Sequence, residues 1–473
     1  MRIERKLTLL ALSGLASLAM VPQDWPMWGG TAQRNMTSAM KGLPDSWDAK
    51  AGTNIKWKAQ LGSSSNGNPV VAGGKIFLGT NNANPRNPEI TGDKGVLLCL
   101  READGAFLWQ AVTDKLDGEA DWAGEGVCSS PAVEGNRLYY VSNRGEVICL
   151  DTEGFTDGKN DGPFRDEFYK GPTDADVIWK LDMRQELGVS QLYMAASAPV
   201  VWEDLVFVVT PNARDSSDEK VVSPKAPSFL AVNRDTGRVV WQDNSPGEGI
   251  LHGQWSSAAL ATVDGVQQAI FPGGDGWLYG FDARTGEKLW RFDLNPKGAV
   301  WPKTRNYGVS TPVFSGAHVF MSVGQDPDHP NGVGHAYAID PARRGDITES
   351  GRVWEYDKIG RSISTAAVAD GLVYVADMKG YLHCLDARTG KPYWTYDTLA
   401  PVWGSPLVAD GKVYLGDQDG DLAVLKAGPE LKKIADIDMG NSVYSTPVPA
   451  NGVLYVMTRS DLYAIAAPAG AKH

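Results

Sequence analysis

The chain has 473 residues, 53 of them glycine and 16 tryptophan. Glycine at about 11% stands above its usual ~7%, while charged and hydrophobic residues at 22% and 42% match ordinary globular proteins. These figures exclude a disordered chain, a collagen-like fibre and a coiled coil, and the net charge of -12 argues against nucleic acid as a partner, because phosphate binding asks for a basic face.

Residues 1–19 read as a cleaved export signal. Arg2, Arg5 and Lys6 open it, an apolar stretch from Leu7 to Ala19 follows, and Ser17 and Ala19 are the small residues of a cleavage site. The apolar stretch is short for a bilayer span, and no later stretch approaches the ~18 apolar residues that a span needs. No cysteine follows it, so no lipid anchor is expected. The expected location is periplasmic or secreted. Residues 20–54 form a lead segment, 55–466 a repeat region and 467–473 a tail.

One unit then recurs eight times, beginning near Asn68, Ser130, Ala198, Ser257, Thr311, Thr365, Ser405 and Thr446. It starts with a small-residue turn, often Ser-Pro or Thr-Pro. A short strand, a Gly turn and a strand rich in Val, Tyr and Phe follow. A polar Gly turn, a strand ending in Leu-Asp, a Thr-Gly turn and a Trp-bearing strand complete the unit. Ser364 to Trp394 is the clearest copy. Each strand is bounded by Gly, Asp and Asn turns, and helical periodicity is absent beyond the signal. Four-stranded units at this period predict an all-β, eight-bladed β-propeller with antiparallel blades. Trp109, Trp179, Trp241, Trp290, Trp354 and Trp394 end their units, with Ile434 in that place in the seventh. Their expected role is packing blade on blade. The eighth unit lacks its last strand. IKWKAQL, with Trp57, is expected to supply it and close the ring, which removes an open edge.

Cys99, Cys149 and Cys384 occupy one strand position in three units, and Cys128 lies elsewhere. Neighbouring sheets stack about 10 Å apart and a disulfide needs Cα atoms within about 7 Å. Free, buried thiols are therefore expected.

The unit S/T-P-V-V-x-x-G-x-V-Y-V-x-x-x-x-G-x-L-x-x-L-D-x-x-T-G-x-x-x-W resembles the PQQ-like repeat of exported bacterial propellers, from about Trp25 to Ile465. DWPMWGG, RN and GLP, between Asp24 and Pro44, are similar to the start of such proteins. The resemblance implies one of two activities. Quinoprotein dehydrogenases of this family hold pyrroloquinoline quinone (PQQ) with Ca²⁺ in the funnel, stacked between a Trp and a vicinal disulfide. An Asp is the base in oxidising an alcohol or sugar. The other branch binds proteins, as in the propeller subunit of the outer-membrane β-barrel assembly machinery. This chain has no adjacent Cys-Cys pair and no lipobox cysteine, so it departs from both branches.

Loops leading into the innermost strands face a propeller's central funnel. They supply Asn66, Glu125, Tyr193, Met194, Gln254, Trp255, Arg305, Asn306, Tyr307, Arg361, Trp403 and Tyr444, with His252 beside them. Arg forks read carboxylate or phosphate and Trp and Tyr faces stack on planar rings. One reading is an anionic or planar ligand held by Arg305 and Arg361 against Trp255 or Trp403. The other is a polar plug in which Arg305 or Arg361 pairs with Glu125. In the insertion Asp151 to Glu167, the acidic residues Asp157 and Asp161 with Asn160 are candidate calcium ligands. The insertion fails the EF-hand pattern, because Lys159 falls at its third position. In Asp326 to His335, the side chains of His329, His335, Asp326 and Asp328 could meet a transition metal. No hydrolase elbow, HExxH or phosphate-binding Gly loop is present. The reading this favours is a monomeric, non-catalytic scaffold of the cell envelope that binds a protein or a small anionic or planar ligand. The alternative is a PQQ- and calcium-dependent dehydrogenase, with Glu125 serving calcium or the base role and Trp255 or Trp403 stacking on the quinone.

Overall fold

The sixth unit shows why the repeat folds as it does. Its strands are Ala367–Ala369, Leu372–Ala376, Tyr381–Asp386 and Pro392–Asp397, paired antiparallel in chain order. Asp370 and Gly371 join the first two with φ of 50° and 78°, the left-handed pair that a tight hairpin matching strand twist requires. Asp386 ends the third strand, and its carboxylate accepts from the backbone N–H groups of Arg388 and Thr389 and from the Thr389 hydroxyl. That turn repeats at Asp282–Thr285 and Asn233–Thr236, which explains the recurring Leu-Asp and Thr-Gly.

A computed structural model describes residues 23–325 and 333–467. It contains eight such blades. The eighth is completed by the N-terminal strand Ile55–Gln60 on Asp461–Ile465, with Trp57 opposite Ala464. The ring is thus closed as expected. The fourth blade gains a short fifth strand, Gly345–Asp346, parallel to Lys288–Asp293. One five-residue helix, Met183–Leu187, interrupts the β-structure, capped by the Asp182 carboxylate. It is too short for hydrophobic periodicity to reveal. Among the described residues no helix is long and apolar enough to cross a membrane. The expected signal lies outside the described residues.

The apolar cores lie between blades. Val206 and Leu230 of blade 3 cluster with Tyr139 and Val147 of blade 2, and Ala269 and Phe271 of blade 4 with Phe207 and Phe229 of blade 3. The repeat tryptophans join these layers. Trp57, Trp109, Trp179, Trp241 and Trp354 each donate an indole N–H to a carbonyl in the next blade, that of Glu102, Thr152, Arg234, Ala283 and Ala387. Each ring covers a glycine of that blade's last turn. At Gly237, φ is 69° and a Cβ would lie 2.5 Å from the Trp179 ring, so both backbone twist and close approach require glycine. Trp290 differs, bonding Gln268 of its own blade. In blade 7, Ala435 lies opposite Val424, where blade 6 has Trp394 opposite Cys384. Ile434, expected there, is exposed instead, because the preceding turn is one residue longer: Leu425 pairs with Lys433, where Leu385 pairs with Pro392. Trp47 of the lead segment fills the neighbouring core. All four cysteines are free and buried.

Candidate functional site

Side chains alternate along a strand, so in each blade two residues of the inner loop face the channel. In the first and seventh blades these are Asn66 with Asn68 and Trp403 with Ser405, and in the eighth Tyr444 faces it above Thr446. Trp255 with Ser257 is the pair of blade 4. The remaining upper positions are Cys128, Ala196, Val309 and Ile363. The eight upper residues form a collar that lines a cavity of about 150 Å³.

Below it runs a hydrogen-bonded girdle. The backbone N–H of one blade donates to the polar side chain of the next: Asn68 to Ser130 (2.7 Å), Ala198 to Ser257 (2.8 Å), Thr311 to Thr365 (3.2 Å), Thr365 to Ser405 (2.9 Å) and Ser405 to Thr446 (3.0 Å). The chain returns from Thr446 to Asn68 Oδ1 (3.1 Å).

The lead segment straps the other end. Its carbonyls accept from the inner strands of Asn451, Val71, Val133, Leu260, Phe314 and Val408 through Gln23, Trp25, Pro26, Ala32, Gln33 and Met36, and Asn35 bonds both backbone groups of Val368. Arg34 completes the set in the third blade. It is fully buried. Nε donates to Ala258 O (2.8 Å), Nη1 to Trp28 O (2.9 Å) and Nη2 to Ala198 O and Pro199 O (both 2.9 Å). Burial pulls its guanidinium down to about 9, so it stays charged at neutral pH. Residues 23–36 therefore touch all eight blades, and Trp28 lines the cavity from this strap. The sequence reading met Arg34 only within the RN of the lead segment and gave it no role.

Four predicted rim residues, Asn66, Trp255, Trp403 and Tyr444, line the cavity. Trp403 stacks on Tyr444 at 4.9 Å, with the Arg459 guanidinium 5.0 Å over the Tyr444 ring. Glu125 accepts from Ser64 and Asn66 and pairs with Arg459 at 3.0 Å. The expected partner, Arg305 or Arg361, is therefore corrected to Arg459. Arg305 turns to Asp293 (3.2 Å) and the Asp275 carbonyl (3.0 Å). Asn306 and Tyr307 are fully buried. Asn306 donates to Val333 O, and Tyr307 packs against Trp255 and His252. Arg361 stands off the cavity, and Ile363, two residues on, faces it. Arg305 and Arg361 thus do not converge on Trp255 or Trp403 over the cavity. Tyr193 stacks on Trp122 at 4.3 Å, and Trp122 is 39% exposed.

The calcium candidates diverge. Asp157 pairs with Lys159 (2.7 Å), Asn160 Oδ1 accepts from Arg165 (2.6 Å), and the Asp161 N–H donates to Asp176 (2.6 Å). The chain just after their insertion, Thr173 to Ala175, covers the outer edge of blade 1, where Gln110 exchanges backbone hydrogen bonds with Thr173 and Ala175. Asp326, Asp328 and His329 lie outside the described residues. His335 is buried beside Glu355 at 3.2 Å, and burial pushes it below the usual imidazole range.

The family model described as outer membrane protein assembly factor BamB matches residues 170–326 and 274–470, well over half of the chain. The chain belongs to this PQQ-type propeller family. No curated protein matches the sequence. The chain's fold is similar to that of BamB from Moraxella catarrhalis, with 13% identity and a TM-score of 0.57 over 88% of this chain and 98% of that one. It is also similar to quinohemoprotein alcohol dehydrogenase from Comamonas testosteroni, with 14% identity and a TM-score of 0.64 over 95% and 82%. A europium-containing methanol dehydrogenase gives 13% identity and a TM-score of 0.52 over 94% and 98%. These likenesses show the fold alone.

PQQ with Ca²⁺ asks for a broad flat chamber and converging oxygen ligands. The cavity of about 150 Å³ is below the ~300 Å³ of small ligand pockets. Glu125 is already held by three side chains. Among the described residues no three His, Cys, Asp or Glu side chains meet as metal ligands. The residues present do not fit that pair.

Proposed function

We propose that this chain is a non-catalytic binding scaffold of the cell envelope, docking a protein partner on the rim side of its funnel. The observation that carries this reading is the rim itself. Trp122 on Tyr193 and Trp403 on Tyr444 are stacked pairs, and Arg459 lies over Tyr444. Trp, Tyr and Arg dominate the energetics of protein interfaces, and stacking holds these side chains in place before a partner arrives, which lowers the ordering cost of binding. The family's description as an outer membrane protein assembly factor supports a partner within that process. Scaffold work leaves the Glu125–Arg459 pair intact, whereas general base chemistry would need that carboxylate released.

A photo-crosslinking residue placed at Trp122 or Tyr444 of the full chain tests this in intact cells. A discrete adduct with one envelope protein is expected, and it should fade when Arg459→Ala is added to the Trp122 probe. In parallel, the purified chain with PQQ and Ca²⁺ should reduce no dye with a panel of alcohols and sugars. Turnover above the protein-free blank, or no adduct at either rim position, would overturn the reading.

A further inference from the structure

The girdle below the collar holds five hydroxyl groups that line the cavity: Ser130, Ser257, Thr311, Thr365 and Ser405. The oxygens of Ser130, Ser257, Thr365 and Ser405 each accept a backbone N–H from the preceding blade. That fixes their orientation and leaves each O–H proton as the group to be satisfied. None of the five donates to any described protein group, although each residue is at least nine-tenths buried. A buried donor needs an acceptor, and the space these protons face is the channel.

The charges nearest that space are the Glu125–Arg459 pair above, which compensates itself, and Arg34 below. No lining residue carries a charged side chain. Arg34 lies directly beneath, bonded to the carbonyls of the lining residues Ala198 and Trp28. Its four contacts are all carbonyls, and no carboxylate pairs with it among the described residues. A buried guanidinium without a counter-ion favours an anion nearby. The cavity of about 150 Å³ has room for about five waters at ~30 Å³ each, and a tetrahedral oxyanion, whose bonded atoms take less, fits within it.

We propose that the girdle binds one tetrahedral oxyanion, of the phosphate or sulfate class, between its hydroxyl protons and the strap that carries Arg34. The ion accepts hydrogen bonds from girdle hydroxyls of several blades at once, and Arg34 supplies the balancing charge from below without touching it. This site lies deeper than the aromatic rim and is independent of any protein bound there.

Equilibrium dialysis of the full-length protein against labelled phosphate, and separately sulfate, at constant ionic strength tests the proposal. Saturable uptake of one ion per chain is expected for at least one of the two. Ser405→Ala removes one donor and should weaken binding about tenfold, with near-ultraviolet circular dichroism reporting that the fold persists. Because that change also strands the Thr365 N–H, a second variant works in the opposite direction. Ala198→Ser restores a hydroxyl to the blade where the girdle has a bare methyl, and should tighten binding several-fold, which destabilisation cannot mimic. No saturable uptake of either ion overturns the proposal. So does uptake that neither variant changes, which marks an adventitious ion only.

Discussion

Arg34→Met replaces the strap's guanidinium with an apolar chain of similar length and removes every donor. Three buried carbonyls, those of Ala258, Ala198 and Pro199, and the partly buried one of Trp28 then lose this partner. An unsatisfied buried acceptor costs about 1–3 kcal/mol. Removing the buried charge returns part of its desolvation cost, so the lower end applies, about 1–1.5 kcal/mol per carbonyl. The expected loss is about 4–6 kcal/mol, a large share of the ~5–15 kcal/mol that holds a typical native protein together. Arg34→Lys keeps the charge but has one nitrogen in place of the fork. It should fall between the two, at about 2–3 kcal/mol. Urea unfolding followed by tryptophan fluorescence measures the stability, and limited proteolysis within residues 23–36 reports the strap. A loss under about 1 kcal/mol in Arg34→Met, with the strap still protected, would refute this account of how the segment is held.

Two further outcomes are expected. Burial raises the Asp275 carboxyl to about 6 from 3.8, so the folded state takes up this proton before the unfolded chain does. Its contribution to stability is fully present below about pH 4 and is lost as the pH rises through 6, a change of about 3 kcal/mol. Urea midpoints at pH 4, 5, 6 and 7 should show Asp275→Asn with a flatter profile than the parent chain, and parallel profiles would refute the assignment. Burial also pushes the thiols of Cys128 and Cys384 up to about 12, and those of Cys99 and Cys149 higher still. A thiol reagent at neutral pH should label none in the native protein and all four in denaturant, and fewer than four in denaturant would refute free thiols.

The blades were legible because each level of the sequence agrees with the others. Strand alternation, the Asp-capped Thr-Gly turn and the Trp all recur at one spacing. Half of the collar was legible too, since Asn66, Trp255, Trp403 and Tyr444 stand two residues before each unit's first small residue. The same count gives Val309 and Ile363 in blades 5 and 6. Arg305, Asn306, Tyr307 and Arg361 were favoured by their chemistry over that spacing, and the structure turns Arg305, Asn306 and Tyr307 to other partners. Glu125 found Arg459 across the ring closure, where sequence distance hides proximity. Arg34 belongs to a segment without repeats, so no periodicity could mark it. Its surroundings are backbone carbonyls, which every residue supplies and no side-chain pattern announces.

The N-terminal strand and the strap also set a timetable for assembly. Ile55–Gln60 pairs with Asp461–Ile465, and Gln23 bonds Asn451. Residues 55–60 must wait, without their partner strand, until residues 461–465 have appeared. Such long-range pairing folds slowly and leaves intermediates prone to association. A chain lacking Val448–Ile465 is therefore expected to leave Ile55–Gln60 unpaired and to uncover the apolar faces of blades 1 and 7 at once, so one missing segment exposes three sticky surfaces.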